Sequence, residues 1–336
     1  MLFFNRKKKE EPETLESKDV KVPRKKRKKV EPPKPLGKIE RIIILFFLLL
    51  APALSILLLA HSYSSKTAKR VSVPAPKLMS QVLSASTQLD TDALKTKIEA
   101  ETKDLTGTYG IWIQALDGSY NLGINENETF DGASLFKLPM MINYYTGVDN
   151  GTVDPDTNYA LKFSDAASGA GILASLPPGT VVTYQDMVNA MGKNSDNTAF
   201  SIMLTVLGID AETNTITMLG MNNTDFNTST TTPYDVGLLF YKLSNGNLIS
   251  SSSKSKLIDS LTNTDYESLI PSSVPNYVKV AHKFGEDDGE LNDAGIVYAN
   301  KPYILVILTK DIDPVEASTE IPKLGTIVYN WAAGVQ

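Results

Sequence analysis

Ser134-Leu135-Phe136-Lys137, led in by Asp131-Gly132-Ala133, is the stretch on which the fold and the chemistry turn. A serine hydroxyl is a weak nucleophile at neutral pH and needs a neighbour to take its proton. Residues three apart share one face of a helix, so Lys137 reaches back to the Ser134 oxygen. The turn-prone lead predicts that Ser134 opens a helix running through Leu135 to Tyr145. Backbone N–H groups and the positive end of the helix dipole there suit a developing oxyanion. Pro139 forfeits one helical bond, a small loss so close to the first turn. Alone, the tetrapeptide favours a blander reading, an ordinary helix start followed by a solvated lysine. Two later stretches change its weight: Ser195-Asp196-Asn197 and His282-Lys283-Phe284-Gly285.

Ser195-Asp196-Asn197 falls between two helical patterns, Tyr184 to Met191 and Thr198 to Leu207. On one reading Ser195 is a hydroxyl proton shuttle and Asn197 hydrogen-bonds a substrate amide. On the other, the three residues are a polar loop capping the helix from Thr198, because Ser, Asp and Asn are favoured caps. Lys283 ends a strand-like run, and Gly285 lets another backbone approach closely. A lysine at that point can bind a substrate carboxylate and favour loss of the shuttle's proton. The backbone N–H of Glu286 then supplies a second oxyanion donor beside that of Ser134. The competing reading is an exposed lysine at a strand end.

Absences narrow the chemistry. The 336 residues include no cysteine and only two histidines, His61 and His282. That argues against disulfides, a thiol nucleophile, thiolate or histidine-clustered metal sites and a Ser-His-Asp arrangement. We expect no metal and no cofactor, and lysine as the base. Charge is unevenly placed: residues 1–41 hold 15 Lys/Arg against 7 Asp/Glu, and the rest of the chain holds 18 against 31. Between the two parts Ile42 to Ala60 is an uncharged apolar run of 19 residues, long enough to cross a bilayer. A cleaved secretory signal would have a shorter apolar region and a briefer basic lead. We therefore expect an N-terminal transmembrane helix over 42–61 that anchors the chain in the lipid bilayer. The basic lead puts the N-terminus in the cytoplasm and the rest outside the cytoplasmic membrane. Residues 1–41 read as a disordered tail whose RKKRKK run (24–29) sets topology; nucleic acid is not an expected partner. Residues 62–88 read as an extracytoplasmic linker, and the folded domain as 89–336.

Within that domain Thr108 to Ala115 alternates like a strand, Asp117-Gly118 turns, and Tyr120 to Ile124 returns. Three more strand-like runs follow late: Val278 to Lys283, Ala294 to Ala299 and Tyr303 to Thr309, the last two joined by Asn300-Lys301-Pro302. Ile321, Leu324, Ile327, Val328 and Trp331 share one face of a final helix. The layout is α/β (α+β): a mixed five-stranded sheet built from both ends of the domain and flanked by helices. An all-helical subdomain is inserted at about 145–275.

The ordered trio resembles the class A β-lactamase-like family of serine penicillin-recognising enzymes, with motifs S-x-x-K, S-D-N and K-T/S-G. The resemblance runs from about Leu89 to Trp331 and includes the 58-residue interval from Lys137 to Ser195. It implies a β-lactamase/transpeptidase-like fold with an antiparallel sheet. It further implies Ser134 as the acylated nucleophile, Lys137 as base or proton relay, Ser195 as shuttle, Asn197 as substrate ligand and Lys283 as the carboxylate-side cation. The implied substrates are β-lactams or D-Ala-type cell-wall peptides, handled by a hydrolase, a D,D-peptidase or a non-catalytic peptide binder. Two departures stand out. Class A enzymes carry a deacylating glutamate between the second and third motifs, whereas Leu219 to Pro233 (LGMNNTDFNTSTTTP) has none, and no glutamate lies between Glu212 and Glu267. Phe284 fills the slot of a Thr or Ser whose hydroxyl helps hold the substrate carboxylate.

Overall fold

The computed structural model describes residues 90–334. The tail, the expected membrane span at 42–61 and the linker lie outside the described residues. Among the described residues no helix is long and apolar enough to cross a membrane.

Helix α1 (Thr91–Thr102) starts where the Asp90 side chain accepts from the N–H groups of Asp92 and Ala93. Strand β1 (Thr108–Ala115) turns through Gly118 into β2 (Asn121–Ile124). Late in the chain come β7 (Val280–Asp287), β8 (Glu290–Val297), β9 (Tyr303–Lys310) and helix α8 (Pro314–Ala333). These strands form one sheet in the order β2-β1-β9-β8-β7. All four pairings are antiparallel, as the family resemblance implies, and not mixed as the strand pattern alone suggests. The first and last strands meet at its middle, where β1 pairs with β9 from Thr108↔Lys310 to Ala115↔Tyr303.

Successive side chains of a strand point to opposite faces, and here each face finds a cover. Ile111, Ile113, Leu305 and Ile307 pack with Leu94 and Ile98 of α1 and with Ile321, Leu324 and Val328 of α8. Trp112, Ala294, Ile296 and Val306 pack on the other side against the helical layer. Burial on both faces explains why Tyr303 to Thr309 reads as an unbroken apolar run.

The helical layer comprises α2 (Lys137–Asp149), α3 (Tyr184–Lys193), α4 (Asn197–Leu207), α5 (Ile209–Met218), α6 (Pro233–Asn245) and α7 (Ser251–Ser260). The insert is not all-helical, however. Strand β4 (Asn158–Ala160) pairs with β5 (Val181–Thr183), and β6 (Thr230–Thr231) pairs with β3 (Phe130–Asp131). Runs of two or three residues are too short to show alternation. The expected strand ending at Lys283 continues to Asp287, because Asp288-Gly289 makes a tight turn with Gly289 at φ +76°. Its acidic end shows no apolar pattern, as suits the solvated edge of a sheet.

Candidate active site

The three motifs converge from three elements: the turn leading into α2, the loop between α3 and α4, and the edge strand β7. Ser134 lies in a 3₁₀ turn, Ala133–Phe136, that runs directly into α2. In 3₁₀ geometry residues i and i+3 eclipse, which brings Lys137 closer to Ser134 than an α-helical turn would. The Lys137 Nζ donates to Ser134 Oγ at 2.7 Å and to Asn197 Oδ1 at 2.8 Å. The turn is held open by Asp131, whose Oδ1 accepts from the Ala133 N–H at 2.7 Å. The Asp131 carbonyl in turn accepts from Asn292 Nδ2 at 2.9 Å. Ala133 sits at φ +42°, a left-handed conformation costly for a side chain with a Cβ and tolerated where surroundings over-determine it.

Ser195 is also left-handed, at φ +53°, and is buried. Its Oγ accepts from Lys283 Nζ at 2.8 Å, and the same nitrogen donates to the Phe284 carbonyl at 2.8 Å. The capping reading holds for Asp196 and leaves the other two side chains facing the site. Asp196 caps α4 by accepting from the Ala199 N–H at 2.8 Å, while Ser195 and Asn197 face the two lysines. Asp196 Oδ2 also accepts from the N–H groups of Ile172 and Leu173 at 2.6 and 2.8 Å. Asn197 is engaged at both ends, its Nδ2 donating to the Ser168 carbonyl at 2.8 Å. Gly169 lies against Asn197 with no room for a Cβ, which would come 2.5 Å from Nδ2.

Lys283 is only 1 % exposed, so the solvated strand-end lysine is ruled out. Burial, and then repulsion from Lys137, drive its pKa well below the usual lysine range, with Asp293 opposing. Lys137 is 3 % exposed, and burial lowers its pKa to about 8 against the pull of Asp196. A lysine so placed is available in neutral form as a base near neutral pH.

Gly285 is where the close approach occurs. A Cβ there would come 3.3 Å from the Ser134 nitrogen and 3.4 Å from both the Ala133 Cβ and the Gly132 carbonyl oxygen. The His282 N–H leaves the ladder to donate to the Leu261 carbonyl at 2.8 Å. In an antiparallel strand alternate residues direct their N–H groups the same way, so Phe284 and Glu286 also point theirs off the free edge. The Glu286 N–H, unpaired in the ladder one residue after Gly285, is thus the candidate partner of the Ser134 N–H.

Below Lys283, His282 is fully buried between Asp293 Oδ1 (2.7 Å from Nδ1), Thr264 Oγ1 (3.0 Å from Nε2) and Glu267 Oε1 (3.3 Å from Nε2). Burial opposes its charge, but Asp293 and then Glu267 outweigh that and raise its pKa to about 9.

The sequence reading gave Asp131, Asp196, Asn292, Tyr266 and the 163–173 loop no role at the site. The Ser168-Gly169-Ala170-Gly171 run was the available signal for the loop: small residues with positive-φ glycines fit against a neighbouring backbone.

No protein of curated function matches the chain. Among solved structures, PBP-A is 25% identical with a TM-score of 0.68, over 72% of this chain and 96% of PBP-A. A β-lactamase from Sphaerobacter thermophilus is likewise 25% identical with a TM-score of 0.68, over 74% of this chain and 99% of its own. A variant of PBP-A was captured as an acyl-enzyme complex with penicillin G and shows the same identity and TM-score. Residues 93–332, from within α1 to within α8 and including every motif above, match the Beta-lactamase enzyme family. With a match of that extent, the chain belongs to the Beta-lactamase enzyme family and is a serine hydrolase.

Proposed function

We propose that the protein forms an acyl-enzyme at Ser134 with β-lactams or D-Ala-type cell-wall peptides and releases it slowly. The observation that carries this reading is the 2.7 Å contact between Ser134 Oγ and the Nζ of a lysine brought to a pKa of about 8. Neutral Lys137 takes the Ser134 proton as Oγ attacks the carbonyl. The oxyanion is held by the N–H groups of Ser134 and Glu286. The leaving nitrogen takes a proton from Ser195 Oγ, which Lys283 Nζ then resupplies.

Slow release is supported by what borders the nucleophile. In the 219–232 stretch the single acid is Asp225, which is exposed and whose Oδ1 accepts from the Asn227 N–H at 2.8 Å. Asp235 is occupied by the Asn223 N–H and the Thr224 hydroxyl. Phe226 packs edge-on against Phe136, at 5.7 Å between centroids, and against Phe200, whose ring lies 5.5 Å from Lys137 Nζ. An aromatic wall there offers a water no base. The same feature favours a D,D-peptidase or penicillin-binding protein, in which an acceptor amine or peptide takes part in turnover, over an efficient lactamase. Five intact polar groups (Ser134, Lys137, Ser195, Asn197, Lys283) are more than a passive peptide binder needs.

The apolar run Ile42 to Ala60 and its basic lead support a single-pass anchor over 42–61, with the 89–336 domain on the outer face of the cytoplasmic membrane. Nitrocefin turnover tests the catalytic reading. We expect one slow equivalent of colour change per protein, lost in Ser134→Ala. Rapid multiple turnover that Ser134→Ala abolishes would contradict slow release, and turnover that survives the substitution would contradict the nucleophile.

A further inference from the structure

Beyond the Ser195–Lys283 pair the site is aromatic and acidic. Tyr266 and Phe284 stack face to face, with centroids 4.5 Å apart and planes 7° from parallel. Lys283 Nζ lies 6.0 Å over the Tyr266 ring, which puts the stack beside the shuttle serine. Both residues are only partly buried. The platform is fixed: the Tyr266 hydroxyl donates to the Asn194 carbonyl at 3.3 Å, and Asn194 Nδ2 donates to Asp265 Oδ2 at 2.7 Å. The Asp265 N–H reaches the Lys193 carbonyl at 2.9 Å. Beside this stack Asp265 and Glu286 are exposed, and both act on the Tyr266 hydroxyl.

A carboxylate arriving here would find little to receive it. No arginine occurs in the chain after Arg70. The lysine beside the stack, Lys283, is buried and already donates to Ser195 Oγ and the Phe284 carbonyl. An anion held without partners beside like charges loses its hydration and gains nothing in return. A planar, uncharged or cationic group gains contact with the rings and with the acidic rim.

We propose that the acyl donor's group beside Ser195 and Lys283 is an uncharged or cationic one, such as an ester or amide, seated on the Tyr266–Phe284 stack in place of the expected carboxylate. The proposal rests on Ser134 being the acylated nucleophile. It makes Tyr266 and Phe284 specificity-determining residues.

The test compares benzylpenicillin as its free acid and as its methyl ester, each rate of Ser134 acylation being divided by that probe's alkaline hydrolysis rate. The unaltered protein should take the ester about tenfold faster, the scale of one charge-assisted contact missing from the acid. Phe284→Thr should raise the rate with the acid about tenfold and leave the ester rate within a small factor. Equal rates, or a faster acid, in the unaltered protein would overturn the proposal without recourse to any variant. A fluorophosphonate, which carries no carboxylate, separates the two claims. Labelling of Ser134 by it while neither penicillin reacts overturns the substrate class alone; no labelling by any probe overturns the nucleophile as well.

Discussion

Acylation of Ser134 should follow the titration of Lys137. Burial moves that lysine from its ordinary value of 10.5 to about 8. On that basis the neutral fraction is about 1% at pH 6, about 10% at pH 7 and about 90% at pH 9. The single-turnover acylation rate should therefore rise about 90-fold from pH 6 to pH 9, with its midpoint near pH 8, and then flatten. Stopped-flow fluorescence with a dansylated penicillin reads this rate, and circular dichroism at each pH confirms the fold. Lys137→Arg retains charge at every pH and should cost a factor of about 10² to 10⁴. The stability sign runs opposite to the activity. A lysine whose folded pKa is lowered is penalised while protonated, so at pH 7 burial of Lys137 costs about 3 kcal/mol. Lys137→Met should consequently raise stability as it removes acylation. A profile flat or falling between pH 6 and 9, or one climbing unbroken to pH 10, would refute the assignment of Lys137 as base.

Three further outcomes follow from groups around the site. Glu212 is fully buried without a hydrogen-bond partner, and burial raises its pKa to about 8. Its cost is absent below pH 4.5, grows as pH rises and reaches about 3 kcal/mol at pH 7, so Glu212→Met should flatten urea-derived stability between pH 5 and 8; an unchanged slope would exclude this. His282 has a raised pKa, so its stabilisation is full below about pH 6.5 and lost as pH climbs through about 9. His282→Gln should therefore destabilise at pH 6 by about 3 kcal/mol and far less at pH 10, and an equal loss at both would argue for an uncharged packing role. Gly285→Ala pushes a methyl against the Ser134 nitrogen and should slow acylation about tenfold with little change in melting temperature; an unchanged rate would remove Gly285 from the oxyanion arrangement.

Ser134, Lys137, Ser195, Asn197 and Lys283 were legible because local spacing and motif order carry them. What lay hidden depends on contacts between distant segments. The identity of Lys283 was legible, but its burial against Ser195, 88 residues earlier, was not. Asn292 supports the nucleophile turn from 161 residues away. Tyr266 meets Phe284 only because segment 262–267 folds between β7 and the Ser195 loop, and no periodicity reports such a meeting. The five strands were visible by alternation or apolar runs. The acidic end of β7 was not, since an edge strand needs no apolar face there. Two- and three-residue strands such as β4 and β5 escaped for want of length.

Intact-mass spectrometry of the purified protein with excess benzylpenicillin, followed by peptide mapping, tests the central claim most directly. The account predicts a single adduct of intact penicillin mass on the peptide containing Ser134, persisting after the free drug is removed. An unmodified protein with the drug also intact, or an adduct that disappears as fast as it forms with hydrolysed penicillin accumulating, would contradict it.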